Sequence, residues 1–342
     1  MNNIEKYSES EFLSKYNFII STTTKFLSSI PQPTAYILGG HPGAGKTTIQ
    51  KILANNDDNI FIVNADAYRQ YHPHFYEIQA MYGDSSPKYT QPFINAVTEK
   101  IIDDLSDKKY NLMIEGTLRT SEVPLKTAQQ LKAKGYRVEL CVMAVKPEIS
   151  FESTILRYEN AFLLGETPRA TSKEHHDLVV GKIAENLDVI YRSNIFDCIK
   201  IFTRDKGCIY SSDLSSQKPS EVENGIIFGK WSKYEKENLI EIIQSIRELK
   251  QSRNASDLDE YIKHSNNLIA MLNNIASQSE LVKKSHLSLE QVLLLSNSDI
   301  PFKCKKTGDD SFTIFFDKSN SNKIKNLLNN PLNKQKHKPN TL

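Results

Sequence analysis

The sequence predicts an α/β fold, a parallel β-sheet with helices on both faces, followed by a mainly helical C-terminal appendage. Three observations predict it. Between Thr34 and Phe202, short apolar runs alternate with amphipathic helical segments, the pattern of a sheet buried on both faces. A glycine-rich segment, Gly40 to Thr47, falls between the first such run and the helix after it. Around residues 212–230 the texture changes to "SSDLSSQKPSEVENG", polar and rich in turn residues, and long amphipathic helices follow.

Taken in order, Phe12, Leu13, Tyr16, Phe18 and Ile19 have helical spacing, and "IPQP" stops that helix. "TAYILGG" is a β-rich run closed by glycine, "KTTIQKILANN" a helix, and "NIFIVNAD" a second buried strand ending on Asp66. "FINAVTEKIIDDL" is helical, "YNLMIEG" a third strand, and "PLKTAQQLKAKG" a helix closed by Gly135. "RVELCVMAV" and "CIKIF" are the fourth and fifth strands. Further on, Leu239, Ile240, Ile243, Ile246 and Leu249 make one amphipathic helix, and "LDEYIKHSNNLIAMLNNIA" makes another. "DSFTIFF" fits either a strand or an aromatic core segment. The organisation expected is a nucleotide-handling domain over 1–215, a linker over 216–230, a mainly helical region over 231–317 and a basic, disordered tail over 318–342.

Forty-three Lys and Arg against 41 Asp and Glu leave a net charge of +2, so composition makes no general case for a nucleic-acid or membrane-surface partner. The lysines after Lys318, with no acid among them, read as a solvated tail. Cys141, Cys198, Cys208 and Cys304 lie far apart without a CxxC pair, which points to neither a zinc site nor a disulfide framework. The N-terminus lacks the basic and apolar regions of a signal peptide, and no apolar run reaches the ~20 residues of a membrane span. A soluble, cytoplasmic protein is expected.

"GHPGAGKT" matches GxxxxGK[ST] at every fixed position, after a predicted strand and opening a predicted helix. The chemistry follows from the backbone. Glycines let the chain wrap phosphates while its amides converge on them at a helix N-terminus. Gly40, His41, Pro42, Gly43, Ala44, Gly45, Lys46, Thr47 and Thr48 are therefore the candidate nucleotide-binding residues. Lys46 supplies a point charge at the β- and γ-phosphates, and the Thr47 hydroxyl a ligand for Mg²⁺.

In parallel sheets ligands gather at the carboxyl ends of strands, so the residues after each strand carry the chemistry. No [NT]KxD segment, which would read a guanine base, follows a late strand. The third strand runs into "IEGTLRT" rather than into a Walker-B aspartate; alternation would put Glu115, Thr117 and Arg119 on one side, a polar edge for a hydroxylated acceptor. Glu115 could equally be an outer partner of Mg²⁺. Asp66, beside the γ-phosphate, is either a base for an attacking hydroxyl or the cap of the helix beginning "AYRQ". Arg157 and Arg169 flank "LLGETP", as in a lid over phosphates; the alternative is surface pairing with Glu159 or Glu166. His72 and His74 in "YHPHF" read as a turn, not a metal pair.

Together, "LGGHPGAGKT", "VNADAYRQYHPHF", "VTEKIIDDLSDKKYNLMIEGTLRT", "VPLKTAQQLKAKGYRVELCVMAV", "TILRYE" and "RATSKEHHDLVV", in this order, resemble the zeta toxins of the epsilon–zeta toxin–antitoxin systems, over about residues 31–215. The resemblance implies a P-loop kinase-like fold and transfer of the γ-phosphate of ATP or GTP to the 3′-hydroxyl of the aminosugar of UDP-N-acetylglucosamine, which blocks cell-wall precursor synthesis. It implies a small helical antitoxin that covers the nucleotide site. By the same resemblance Lys46 and Thr47 handle phosphate and Mg²⁺ and Asp66 is the base. Glu99, Glu115, Thr117 and Arg119 hold the sugar nucleotide, and Arg157 and Arg169 neutralise the γ-phosphate. Two positions depart from the family pattern: His41 stands where Gln is more usual, and Ala67 where Thr is. The region beyond residue 230 does not resemble the toxin core.

Overall fold

The computed structural model describes residues 4–165, 170–278, 281–298, 300–308, 310–317 and 320–329. The described chain divides into two units, residues 1–255 and 256–342. In the first unit, strands β1 (Thr34–Gly39), β2 (Ile60–Val63), β3 (Asn111–Glu115), β4 (Arg137–Met143), β5 (Cys198–Thr203) and β6 (Gly207–Ser211) form one sheet in the order β2-β3-β1-β4-β5-β6. Every neighbouring pair is parallel except β5 and β6. Leu38 of β1 lies level with Glu115 and Cys141, so three strands deliver their carboxyl ends to one edge.

Helices α1 (Glu9–Thr23), α2 (Lys46–Asn56), α3 (Phe75–Tyr82), α4 (Ser86–Asp107), α5 (Glu122–Ala133), α6 (Pro147–Leu163), α7 (Lys173–Ser193), α8 (Pro219–Ile227) and α9 (Lys233–Ser252) complete this unit. The central strands are buried along nearly their whole length: Ala35, Ile37 and Leu38 of β1 and Val138 to Met143 of β4 expose less than a tenth of their surface. That is why these runs read as continuously apolar rather than alternating. Phe93, Val97 and Ile101 of α4 and Val179, Ile183 and Leu187 of α7 supply the helical side of the core at four-residue spacing. Capping boxes at Ser8 with Glu11 and Ser232 with Glu235 set the starts of α1 and α9. Cys141 and Cys198 are buried free thiols.

The stretch expected to be a linker is built into this unit. Val222, Ile226 and Ile227 of α8 pack with Ala144, Val180, Ile201 and Tyr210. The C-terminal end of α8 is held by Lys146, whose buried ammonium donates to the carbonyls of Ile226 (2.6 Å) and Gly229 (2.7 Å). Polar composition misled here because a nine-residue helix needs only one apolar stripe to dock.

A buried ion cluster joins α6 to α9. Glu159 accepts from Arg253 Nε (2.6 Å) and Nη2 (2.9 Å) and pairs with Lys250 Nζ at 2.9 Å. Glu159 was a candidate partner for Arg157 or Arg169, and its carboxylate is instead committed to α9. Close by in kind but not in partner, Glu223 of α8 is 1% exposed, and neither of its oxygens has a hydrogen-bond partner among the described residues. Burial pushes its pKa up to about 8.

The second unit contains α10 (Leu258–Gln278), β7 (Leu281–Leu287), α11 (Leu289–Ser296), β8 (Phe302–Gly308), β9 (Ser311–Asp317) and α12 (Ser321–Asn329). It is less helical than expected: β7, β9 and β8 form an antiparallel sheet in that order, and "DSFTIFF" is its central strand. Ile314 and Phe316 of that strand pack with Val292, Leu295, Ile324 and Leu328. Part of the expected tail is thus helix α12, because Ile324 and Leu328, one turn apart, bury against the sheet. No helix among the described residues is long and apolar enough to cross a membrane.

Removing the acid from the α6–α9 cluster takes away the buried carboxylate that Lys250 and Arg253 share, so Glu159→Ala is expected to destabilise the fold by about 3 kcal/mol in denaturant unfolding. Glu223 has a raised folded pKa, so its contribution is present at low pH and is lost as pH rises from the ordinary carboxylate value toward about 8. Thermal melts should therefore show Glu223→Gln gaining on the wild type between pH 5 and pH 8, with the two converging at acid pH.

Candidate active site

β1 ends at Gly39, and the chain then turns through three left-handed glycines, Gly40 (φ 136°), Gly43 (φ 73°) and Gly45 (φ 98°), before α2 opens at Lys46. At Gly43 the requirement is steric as well as conformational: a Cβ there would lie 2.0 Å from the Ser150 carbonyl oxygen of α6. Gly45 occupies the N-cap position of α2 in the left-handed region, so no side chain fills the space ahead of the helix. The Ala44 amide donates to His41 O at 3.1 Å, which tightens the turn. Lys46 Nζ donates to Gly40 O at 3.1 Å and so lies folded along the loop. Thr47 is exposed at the first turn, and Thr48 is half-buried.

His41 is fully buried, with neither ring nitrogen hydrogen-bonded among the described residues. Its ring meets that of His176 edge-on at 5.4 Å, and His176 Nε2 shares a 2.8 Å hydrogen bond with Ser150 Oγ. Burial, reinforced by His176, Lys46 and Arg204, pushes the His41 pKa down to about 3, so the ring is neutral. Only the backbone of His41 is available to a ligand.

Lys46, Asp66, Glu115 and Arg157 act on one another electrostatically. Burial lowers the Lys46 pKa, Glu115 and Asp66 oppose that shift, and Arg157 adds to it. Burial likewise raises the Glu115 carboxyl, against the pull of Lys46 and of a hydrogen bond donated by Gln50 Nε2. The carboxyl end of β3, the first turn of α2, the turn after β2 and the exposed Arg157 of α6 therefore share one charged neighbourhood of mixed sign.

Asp66 is not on the strand. β2 stops at Val63, and Asn64 accepts from the Ala67 amide to start a 3-10 helix over Ala65–Tyr71. Asp66 falls in its first turn, largely exposed, and Asn64 is the cap. Arg69 orients the carboxylate. Its Nη2 donates to Asp66 Oδ1 (3.2 Å) and Gln91 Oε1 (3.3 Å), while Nη1 donates to Pro87 O (2.8 Å) and Thr90 Oγ1 (2.5 Å) of α4. Gln50 and Arg69 were not anticipated. The i, i+3 spacing of Asp66 and Arg69 is a local signal, whereas the Gln50–Glu115 contact spans 65 positions and has none.

The alternation expected to align Glu115, Thr117 and Arg119 does not occur. β3 ends at Glu115, and Leu118 takes a left-handed conformation (φ 54°) with its side chain buried and its carbonyl accepting from Asn186 Nδ2 at 2.8 Å. Burying Leu118 against the sheet breaks the extended backbone, and Thr117 and Arg119 are exposed on the resulting loop. Glu99 is exposed on α4. Arg169 lies outside the described residues. His72 caps the 3-10 helix, and its Nδ1 accepts from the His74 amide at 3.1 Å, which closes a turn. Among the described residues no group of three or more His, Cys, Asp or Glu could hold a metal ion.

Residues 19–215 match the family model described as Zeta toxin. "Toxin PezT" of Streptococcus pneumoniae is 42% identical over 238 residues, 69% of this chain and 94% of that one. "Toxin zeta" of Streptococcus pyogenes is 37% identical over 225 residues, 65% of this chain and 78% of that one. A solved structure from the PezAT chromosomal toxin–antitoxin system of S. pneumoniae superposes with a TM-score of 0.69 at 40% identity, spanning 72% of this chain and 99% of the other. With a family match across more than half of its length and relatives this similar, the chain belongs to the zeta toxin family.

Proposed function

We propose that this chain is a toxin-type phosphotransferase that moves the γ-phosphate of ATP or GTP to the 3′-hydroxyl of the aminosugar of UDP-N-acetylglucosamine and so blocks cell-wall precursor synthesis. The observation that carries this reading is the meeting of Lys46, Asp66, Glu115 and Arg157 at the mouth of the phosphate loop. Asp66 is an exposed carboxylate fixed by Arg69, suited to take the proton of an incoming hydroxyl.

In the reaction the acceptor oxygen attacks the γ-phosphorus, its proton passes to Asp66, and the bond to the β-phosphate oxygen breaks to release the nucleoside diphosphate. Lys46 and Arg157 neutralise charge on the phosphoryl oxygens, and Arg169 joins them in this reading. Glu115, Glu99, Thr117 and Arg119 hold the sugar nucleotide. The exposed Thr47 hydroxyl beside the helix N-terminus fits Mg²⁺, a hard cation that takes few protein oxygens and completes its shell with phosphate and water. The relatives are toxins, and the superposed structure comes from a toxin–antitoxin system, which supports a small antitoxin as partner.

Mass spectrometry of UDP-N-acetylglucosamine incubated with the pure protein, Mg²⁺ and ATP or GTP tests the reaction. A gain of one phosphate is expected, and an unaltered sugar nucleotide would count against this acceptor. Asp66→Asn should bind nucleotide as the wild type does while turnover falls roughly a hundredfold or more. Lys46→Ala should weaken both nucleotide binding and turnover, as expected for a group that holds the phosphates before and during transfer.

A further inference from the structure

Arg204, the residue after β5, reaches the outer side of the phosphate loop. Its Nε donates to Ala44 O (3.0 Å) and its Nη2 to Gly43 O (2.5 Å) and Ser153 Oγ of α6 (3.0 Å). Nη1 donates to Asn238 Oδ1 of α9 at 3.3 Å. These four acceptors are all neutral, and among the described residues no carboxylate pairs with the guanidinium. Arg204 is half-buried, and an arginine stays charged in such a setting, so the fold keeps an un-neutralised cation directly behind the loop. The fit is close: a Cβ at Gly45 would come within 3.0 Å of Arg204 Nε.

We propose that Arg204 is a positioning residue that locks the phosphate loop in its anion-binding shape and leaves its own charge for a bound polyphosphate to balance. This rests on the reading that the loop binds a nucleoside triphosphate. The locking follows from peptide planarity, because a trans peptide points its carbonyl and the next amide in opposite directions. Holding Ala44 O on the outer side turns the Gly45 amide to the inner side, where the phosphates would lie. Holding Gly43 O fixes the plane that carries the Ala44 amide, already bonded to His41 O at 3.1 Å. The charge acts across the loop in a partly desolvated setting, where a cation and a polyanion attract more strongly than in water. Through Asn238 and Ser153 the same group ties the loop to α9 and α6.

The test is calorimetric titration of the full chain with ATP, and with GTP in parallel, with inorganic tripolyphosphate as a competitor. Wild type, Arg204→Ala, Arg204→Lys and Asn238→Ala are compared, each checked by ligand-free thermal melting. Arg204→Ala is expected to weaken nucleotide and tripolyphosphate by the same factor, about tenfold or more. Arg204→Lys keeps the charge but cannot span both carbonyls, so it should recover only part of that loss. Full recovery by lysine would overturn the positioning role. Unchanged affinity in a folded Arg204→Ala would overturn the whole inference, as would a loss confined to the nucleotide, which would mean that Arg204 serves the base. If Arg204→Ala does not fold, Asn238→Ala decides: a two- to fivefold loss at unchanged melting temperature supports the inference, and no loss refutes it. A wild type that binds neither ATP nor GTP would sink the reading of the loop itself, and this inference with it.

Discussion

The architecture turns on the space left at Gly43. The phosphate loop runs so close to the first turn of α6 that even one methyl group would collide with the Ser150 carbonyl. The loop can hold its wrapped form only if α6 stays where it is, and α6 is anchored elsewhere, by Glu159 against Lys250 and Arg253 of α9. Helix α9 in turn reaches the loop by way of Asn238 and the bridging Arg204. A glycine motif that looks local is thus seated by elements more than a hundred residues away in the chain. Close packing makes such seating rigid, because interiors transmit strain rather than absorb it.

Charge follows the same logic. The first unit buries or half-buries several ionisable groups, and each is handled differently. Glu159 is matched by two cations, Lys146 is spread over the carbonyls at the end of α8, and Glu223 is held protonated across much of the neutral range. Arg204 is satisfied by neutral oxygens alone. Beneath the loop, His41 and His176 face one another as neutral rings, so they add no positive charge that would repel Lys46. The exposed side of the loop, by contrast, mixes signs, with Glu115 and Asp66 set against Lys46 and Arg157. A site with both signs can hold an anionic donor and still carry a base.

Much of the first unit was legible because its signals are local. Buried parallel strands advertise themselves as unbroken apolar runs, and β1, β3, β4 and β5 lie where such runs stand. GxxxxGKT marks its own strand, turn and helix. Two of the misreadings share one cause, an assumption that local periodicity would continue. The strand after Lys109 was carried on to Arg119, but burial of Leu118 turns the chain at once. The strand before Asp66 was carried to the carboxylate, but Asn64 captures the Ala67 amide and starts a 3-10 helix. The polar stretch around 216–230 was read by composition, yet three apolar residues on one face of α8 outweigh it.

The amino-acid sequence by itself determined the phosphate loop, the parallel α/β class and the zeta toxin resemblance, since each depends on residue types at short, regular spacing. Tertiary structure alone decided the strand order, the division after Ala255 and the company each functional side chain keeps. Gln50 with Glu115, Arg253 with Glu159 and Arg204 with Gly43 are separated by 65, 94 and 161 positions. No period or motif encodes such pairs. They arise when helices and strands, each satisfied locally, bury their remaining polar groups against one another, and a buried group must find its partner wherever the packing brings one.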